Sequence, residues 1–457
     1  MKTNQFLFAA LTAAFLSVAS FSAAQVTIGG SDLPKAGTIV DLNPQNGVKG
    51  GLALSNVYLT RQTHIPVGAN LFPGITHGTN DDVNPALAGT IIYNTNADFG
   101  LGVFVWDGDI WQPVGAHIYT TTIPAPTCSS IAPTITFMAY NLGADVAKLM
   151  SLYPTLSPAK QQIKYLALVP TISATDATVW GDLYQWGRIR DGHEKRNSTI
   201  YSGPLTQASD VDANGQPKAG KGQGQLITVP DGTNNNDWSN PQDNTLWGNG
   251  VSVGVETPDG VLASDGKYYQ STNWVIPDNN PCPIGWHIPT QDEWERLTDY
   301  GCGAPQTAGG DFYINTSTEY YKSLSGTNAP LTWVRVKDGK AYQGTWSDGD
   351  RSGFAVYETA VWTAAIAENG YFHDGGNPDY TRPLYEANAP EPLLFLPAVG
   401  ARNRPSGSLV FTGSRGHYWS STVTDISDRF KYFASEFVGN SNIAGGRASC
   451  LGVRCVK

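Results

Sequence analysis

The chain has 457 residues, a formal net charge of −10 and only 15% charged residues, against roughly 25% in an average soluble protein. That acidity argues against nucleic acid or an anionic membrane surface as a partner, and the scarcity of alternating charge argues against coiled coils and helical bundles. Glycine (50), proline (29), tryptophan (13) and tyrosine (21) give instead the profile of loop-rich extracellular domains, and the length suits two or three of them.

In chain order, residues 1–24 read as a secretory signal peptide. Lys2 supplies the positive start, Phe6 to Phe21 the apolar core, and Ser22-Ala23-Ala24 the small-residue cleavage site before Gln25. The apolar run is short for a membrane anchor and is interrupted by Ser and Thr, and no Cys follows it to take a lipid. The expectation is a protein exported after cleavage near Ala24, secreted or on the outer cell surface, with no transmembrane segment.

Residues 25–118 read as a small all-β module. Val26–Gly30, Gly37–Leu42, Gly50–Leu54 and Gly89–Asn94 are short alternating runs separated by Gly- and Asn-rich turns. Gly102–Gly108 predicts a hairpin, with Asp107-Gly108 as a type I′ turn and Trp111 on the return strand. Residues 119–127 are uncharged, β-branched and Pro-rich, which predicts a linker.

From 128 to 457 the pattern is α+β. Ile135–Leu142 predicts a strand, and Asp145–Leu152 and Pro158–Leu168 predict helices, with Ser157 as N-cap and Pro158 at N1. Residues 203–278 are rich in Asn, Gly and Asp and predict long loops carrying Trp238, Trp247 and Trp274. Phe430–Phe437 and Gly452–Val456 alternate as strands.

The sharpest local signal is Cys282-Pro-Ile-Gly-Trp-His-Ile-Pro-Thr-Gln-Asp-Glu-Trp294. Thr290 suits an N-cap, and Glu293 stands where its carboxylate reaches back to the cap's own N–H, completing a capping box. Trp294, Leu297 and Tyr300 then share a face, and Gly301 offers a left-handed stop.

This segment resembles the Fibrobacter succinogenes major paralogous domain, in the formylglycine-generating-enzyme-like branch of the C-type-lectin-like superfamily. Further matches follow in family order: Tyr140–Ala144, Gly181-Asp182-Leu183-Tyr184-Gln185-Trp186-Gly187-Arg188, Leu396–Gly400, Tyr418–Thr422 and Gly452–Lys457. The resemblance spans about residues 128–457 and implies a loop-rich C-type-lectin-like domain behind the β module. It makes Gly452–Lys457 the closing strand, so surface attachment is expected through partners, as in an accessory fimbrial or other appendage subunit. Residues 25–118 likewise resemble N-terminal modules of secreted Bacteroidota-type proteins.

Five cysteines stand at 128, 282, 302, 450 and 455. In an exported chain they read first as disulfide partners, and the odd count leaves one free or bonded to another chain. The resemblance implies Cys282–Cys455 as a bridge, with Cys302–Cys450 as the second pair and Cys128 free. It also raises a formylglycine-generating-like oxidase, which needs a thiol pair; Cys450 and Cys455 have a suggestive spacing, yet Cys455 falls on the structural position. Calcium-dependent sugar binding is raised in the same way. Asn234–Asp237, Asp278–Asn280 and Asp348–Asp350 could supply oxygens, although none carries the sugar-binding tripeptide and solvated turns account for all three.

No cofactor is otherwise expected. The sequence has no Gly-x-Ser-x-Gly elbow, no His-Glu-x-x-His and no phosphate loop. Trp186, Trp238, Trp247, Trp274 and Trp346 lie among Gly, Asn, Asp and Ser. An exposed indole there would stack on a sugar or anchor a protein, whereas a buried one would pin its loop. The expected function is non-catalytic binding or a structural role at the bacterial surface, toward a glycan or protein, with polysaccharide binding or processing as the alternative.

Overall fold

The computed structural model describes residues 26–28, 40–42, 56–57, 90–95, 102–106, 111–113, 119–124, 134–240, 243, 246–247, 261–262, 268–269, 279–283, 285–290, 293–294, 297, 312–313, 320–322, 331–342, 344–368, 372–373, 377–378, 382–423, 428–434, 437–438 and 443–457. The chain divides into two units, Met1–Ser55 and Asn56–Lys457. In the first, Val26–Ile28 pairs in parallel with Val40–Leu42. The signal peptide lies outside the described residues. Among those described, no helix is long and apolar enough to cross a membrane.

The second unit mixes helices with mainly antiparallel sheets, an α+β arrangement, although Asn56–Val57 pairs in parallel with Ile91–Asn94 and Ile200–Ser202 with Leu226–Thr228. It begins with a four-stranded sheet in the order Asn56–Val57, Ile91–Asn94, Gly102–Trp106 and Trp111–Pro113. The hairpin forms, but Trp106 pairs with Trp111, a register incompatible with a two-residue turn at Asp107-Gly108. The division at 55/56 places this sheet in the same unit as everything after it.

Thr120–Pro124, predicted as linker, is a strand paired antiparallel with Thr134–Met138. Ile123 is buried, and the Thr121 hydroxyl donates to Leu393 O at 2.5 Å. A run of Thr and Ile suits either an extended linker or a strand, and here the partner strand decides.

Two helices follow where local signals put them. Val146–Leu152 is capped by Asp145, which accepts from Lys148 N, and Pro158–Leu168 by Ser157, which accepts from Lys160 N. Their apolar faces (Val146 and Leu149; Ala159, Ile163 and Leu166) pack on a sheet ordered Tyr320–Lys322, Leu331–Lys337, Ser352–Glu358 and Leu394–Pro397. Its strands Leu331–Lys337, Ser352–Glu358 and Leu394–Pro397 are buried on both sides. Val334, Val336, Ala355, Tyr357 and Phe395 face the helices, while Trp333, Phe354, Val356, Leu394 and Leu396 face a second core with Phe137, Trp294, Tyr418 and Phe433. Alternation along a strand thus feeds two cores, and each fully buried large side chain contributes about 1.5–3 kcal/mol.

The end of the chain closes the fold. Met138 N donates to Cys455 O, Leu142 N to Val453 O, and Trp419 N to Gly452 O. Val456 bridges both Phe137 and His287.

Candidate functional site

Segments remote in sequence meet in one buried junction. Arg454, fully buried, donates through Nε to Asn141 Oδ1 at 2.7 Å, through Nη1 to Met138 O and through Nη2 to Phe395 O. Asn141 Nδ2 donates to the Tyr418 hydroxyl and to Trp180 O, and that hydroxyl donates to Pro397 O at 2.7 Å. Burial pushes the Tyr418 phenol up to about 12, so it remains a donor at neutral pH. Indole N–H groups continue the lacing: Trp294 to Trp419 O, Trp419 to Tyr184 O, and Trp186 to Ser420 O.

The helix-start motif is tied to this junction. Glu293 N donates to the Thr290 hydroxyl at 3.1 Å, and Thr290 N donates to Glu293 Oε2 at 2.9 Å, the reciprocal pair of a capping box. Glu293 also holds His287 Nε2 at 2.9 Å. Cys282 and Cys455 are disulfide-bonded with Cα atoms 5.9 Å apart, joining the segment that enters the motif to the end of the chain. Cys450 is a free, buried thiol, so the expected pairing with Cys302 is not made. The reason is position: Cys450 pairs in register with Gln185 and Arg402 inside a sheet. Burial pushes its thiol up to about 12, and Cys455 is already bonded, so the Cys450/Cys455 spacing yields no thiol pair. Cys128 and Cys302 lie outside the described residues.

The tryptophans expected to bind ligand are interior, which corrects that expectation. Trp186 and Trp238 are 0% exposed, Trp247 2% and Trp346 7%. Trp238 Nε1 donates to Trp186 O at 2.7 Å and Trp247 Nε1 to Asn279 O, while the Trp186 and Trp247 rings pack 5.6 Å apart. Trp346 packs on Phe354. The carbonyls that accept from these indoles belong to residues remote in sequence, Trp186 for Trp238, Asn279 for Trp247 and Ser420 for Trp186, so the rings pin their loops to the scaffold. Trp274 lies outside the described residues.

Side chains of the expected calcium clusters bond within the protein, although the Asn279 amide oxygen is buried without a hydrogen-bond partner. Asn234 Nδ2 donates to Asp237 O and Ser239 O, and the Asp237 carboxylate faces Arg447 at 3.5 Å. Asn279 and Asn280 donate to Asn214 O and Trp286 O. Asp348 accepts from the Ser414 hydroxyl, and Asp350 from Lys337 and Ser347 N. Asp278 lies outside the described residues.

The cluster that sequence reasoning missed is the charged run 188–196. Ligand atoms of Asp191, His193 and Glu194 lie within 4.8 Å of one another, close enough for a metal ion. Each is nevertheless committed to a protein partner. His193 Nε2 accepts from Gln185 N, which leaves Nδ1 to carry the proton donated to Asp191 at 2.6 Å. Asp191 also accepts from Arg188 Nη2 at 2.6 Å and from Gly224 N, and Glu194 from Gly192 N. Beside them, Arg188 bonds Gln225 O and Gly222 O, and Arg196 bonds Val399 O and Thr412.

Electrostatics follow from burial and these pairs. Burial lowers the His193 pKa and keeps the ring neutral, whereas Arg188 and His193 hold the Asp191 carboxylate well below the usual range against the cost of its burial. Asp182, buried beside Lys195 at 2.7 Å, is pushed up to about 7 because desolvation outweighs the lysine. The signal available in the sequence was density: Arg188, Arg190, Asp191, His193, Glu194, Lys195 and Arg196 crowd nine positions of a chain only 15% charged.

Comparisons of the chain with protein-family models, curated proteins and solved structures found no match.

Proposed function

We propose that this chain is a non-catalytic binding protein of the bacterial surface, built on a C-type-lectin-like scaffold of the Fibrobacter succinogenes major paralogous type. The observation that carries the reading is the buried junction. Asn141, Tyr184, Trp186, Trp294, Pro397, Tyr418, Trp419, Ser420 and Arg454 come from the separate stretches that carry the resemblance, and they hydrogen-bond to one another or to each other's backbone. Residues so engaged act as scaffold, which leaves recognition to what the scaffold displays. The ionisable cluster at 188–196 supports the same view, because Asp191, His193 and Glu194 each bond within the protein.

On this reading the protein is exported and held at the surface by other subunits, and an accessory position in a fimbria is one concrete form. The test is an array of glycans and host proteins probed with the protein lacking residues 1–24. Saturable binding without product is expected. Turnover of a glycan or peptide, abolished by changing one acidic residue, would overturn the proposal.

A further inference from the structure

A groove of about 380 Å³ opens between the end of helix Pro158–Leu168 and the hairpin joining Leu331–Lys337 to Lys340–Ala341. The volume lies at the lower end of small-ligand sites, which run from roughly 300 to 1,000 Å³. Lys337, Asp338, Lys340, Tyr342 and Tyr385 surround a floor that includes Ala167.

The walls are fixed before any ligand arrives. Lys337 pairs with Lys340, and Asp338 and Gly339 between them have φ of 51° and 77°, the two left-handed positions of a type I′ turn. A Cβ on Gly339 would stand 2.4 Å from Ala167 Cβ and 3.1 Å from Tyr385 Cε1, so only glycine lets the turn sit this close to helix and tyrosine. Leu384 N donates to Gly339 O, and Lys340 bridges Pro383, which ties the segment carrying Tyr385 to the hairpin. Lys164 stands over the Tyr385 ring and Lys337 over the Tyr342 ring.

Charge in the groove is mostly cancelled. Asp338 accepts from Arg351 Nε at 2.7 Å, and Lys337 donates to Asp350 at 2.8 Å. Lys340 is exposed and has no ion-pair partner among the described residues. The groove therefore offers two half-buried phenol rings and the exposed ammonium of Lys340, with the Lys164 ammonium over the Tyr385 ring beside it. A sugar ring presents C–H faces to aromatics and hydroxyls to polar edges, and a carboxylate on that ring meets the ammonium.

From this geometry we propose that the groove binds a hexuronate unit of an acidic polysaccharide, with Tyr342 and Tyr385 on the ring and Lys340 on the carboxylate. The proposal rests on the binding reading above and adds its ligand class and place.

The probe is an oligomer of galacturonic acid, compared with its methyl ester, by titration calorimetry on the protein lacking residues 1–24. The acid is expected to bind, with the ester at least tenfold weaker. Lys340→Gln, an exposed change, should weaken the acid about tenfold and leave the ester unchanged. Tyr385→Phe, which keeps the ring, should retain binding, and Tyr385→Ala should lose it for both probes while the near-UV circular dichroism stays that of the parent. No binding of the acid by folded protein, equal affinity for acid and ester, or indifference to Lys340→Gln overturns the groove assignment. Should another array ligand bind regardless of Lys340→Gln and Tyr385→Ala, the groove fails and the binding reading stands.

Discussion

Trp238 separates two meanings of a tryptophan in a polar loop. Its indole is fully buried, donates to Trp186 O and lies under Arg188, 5.8 Å from the guanidinium carbon. Trp238→Ala should therefore lower unfolding free energy by about 3–5 kcal/mol in denaturant titration, whereas loss of a surface anchor would leave stability unchanged. Arg454 works by hydrogen bonding, with Asn141 Oδ1, Met138 O and Phe395 O as acceptors. Arg454→Met would leave these acceptors buried without it, at a cost of about 3 kcal/mol or more, and Arg454→Lys should rescue little because one ammonium cannot span a planar fork of acceptors. A thermal midpoint for Arg454→Lys equal to the parent's would refute that account. Neither residue's role was legible from its sequence neighbours. Asn and Gly around Trp238 look solvated, and the carbonyl that satisfies its indole belongs to residue 186, 52 positions away.

What was legible lies at the scale of elements whose cause is local. Asp145 and Ser157 cap their helices within three residues, and the Thr290–Glu293 box closes over the same span, so the sequence alone carries the cause. The strand Thr120–Pro124 was not legible in that way, because its partner, Thr134–Met138, decides between linker and ladder. For the motif, Thr290→Ala should cost about 1 kcal/mol. Glu293→Gln retains an acceptor for Thr290 N and should cost less than Glu293→Ala, which also gives up the contact with His287. Chemical denaturation of the three variants checks the order. Equal losses for Gln and Ala at 293 would show that the reciprocal bond contributes nothing.

For the whole molecule, long-range closure and buried charge govern stability. The Cys282–Cys455 bond spans 173 residues, and a loop of that size is worth about 5 kcal/mol in the chain-entropy model. The Cys282→Ser/Cys455→Ser double variant should lose much of that, read as a lower denaturation midpoint than the parent's without reductant. The charged hub escaped sequence reading for a reason at this same scale: its bonds run from Gln185 to Ala448 and from Arg196 to Val399, so no local pattern shows that the run is interior. Its burial sets the response to acid. His417 is pushed down to about 3 by burial and by Arg415, and His193 is also lowered, so both rings are neutral when folded. The unfolded chain takes up those protons first, so the stability these rings contribute is present above about pH 6.5 and is lost as pH falls, for His417 through about 3. Asp182 has the opposite sign. Its folded pKa of about 7 exceeds the usual 3.8, so its contribution is full below about 3.8 and is lost as pH rises through 7. His417→Gln should therefore flatten the loss of stability between pH 6.5 and 4, by an amount on the order of a few kcal/mol at the acid end. Asp182→Asn should steepen that loss, because the opposing gain is removed. Unfolding free energies at half-unit steps from pH 4 to 8 decide it, and curves for the two variants running parallel to the parent's would show that neither group titrates with folding.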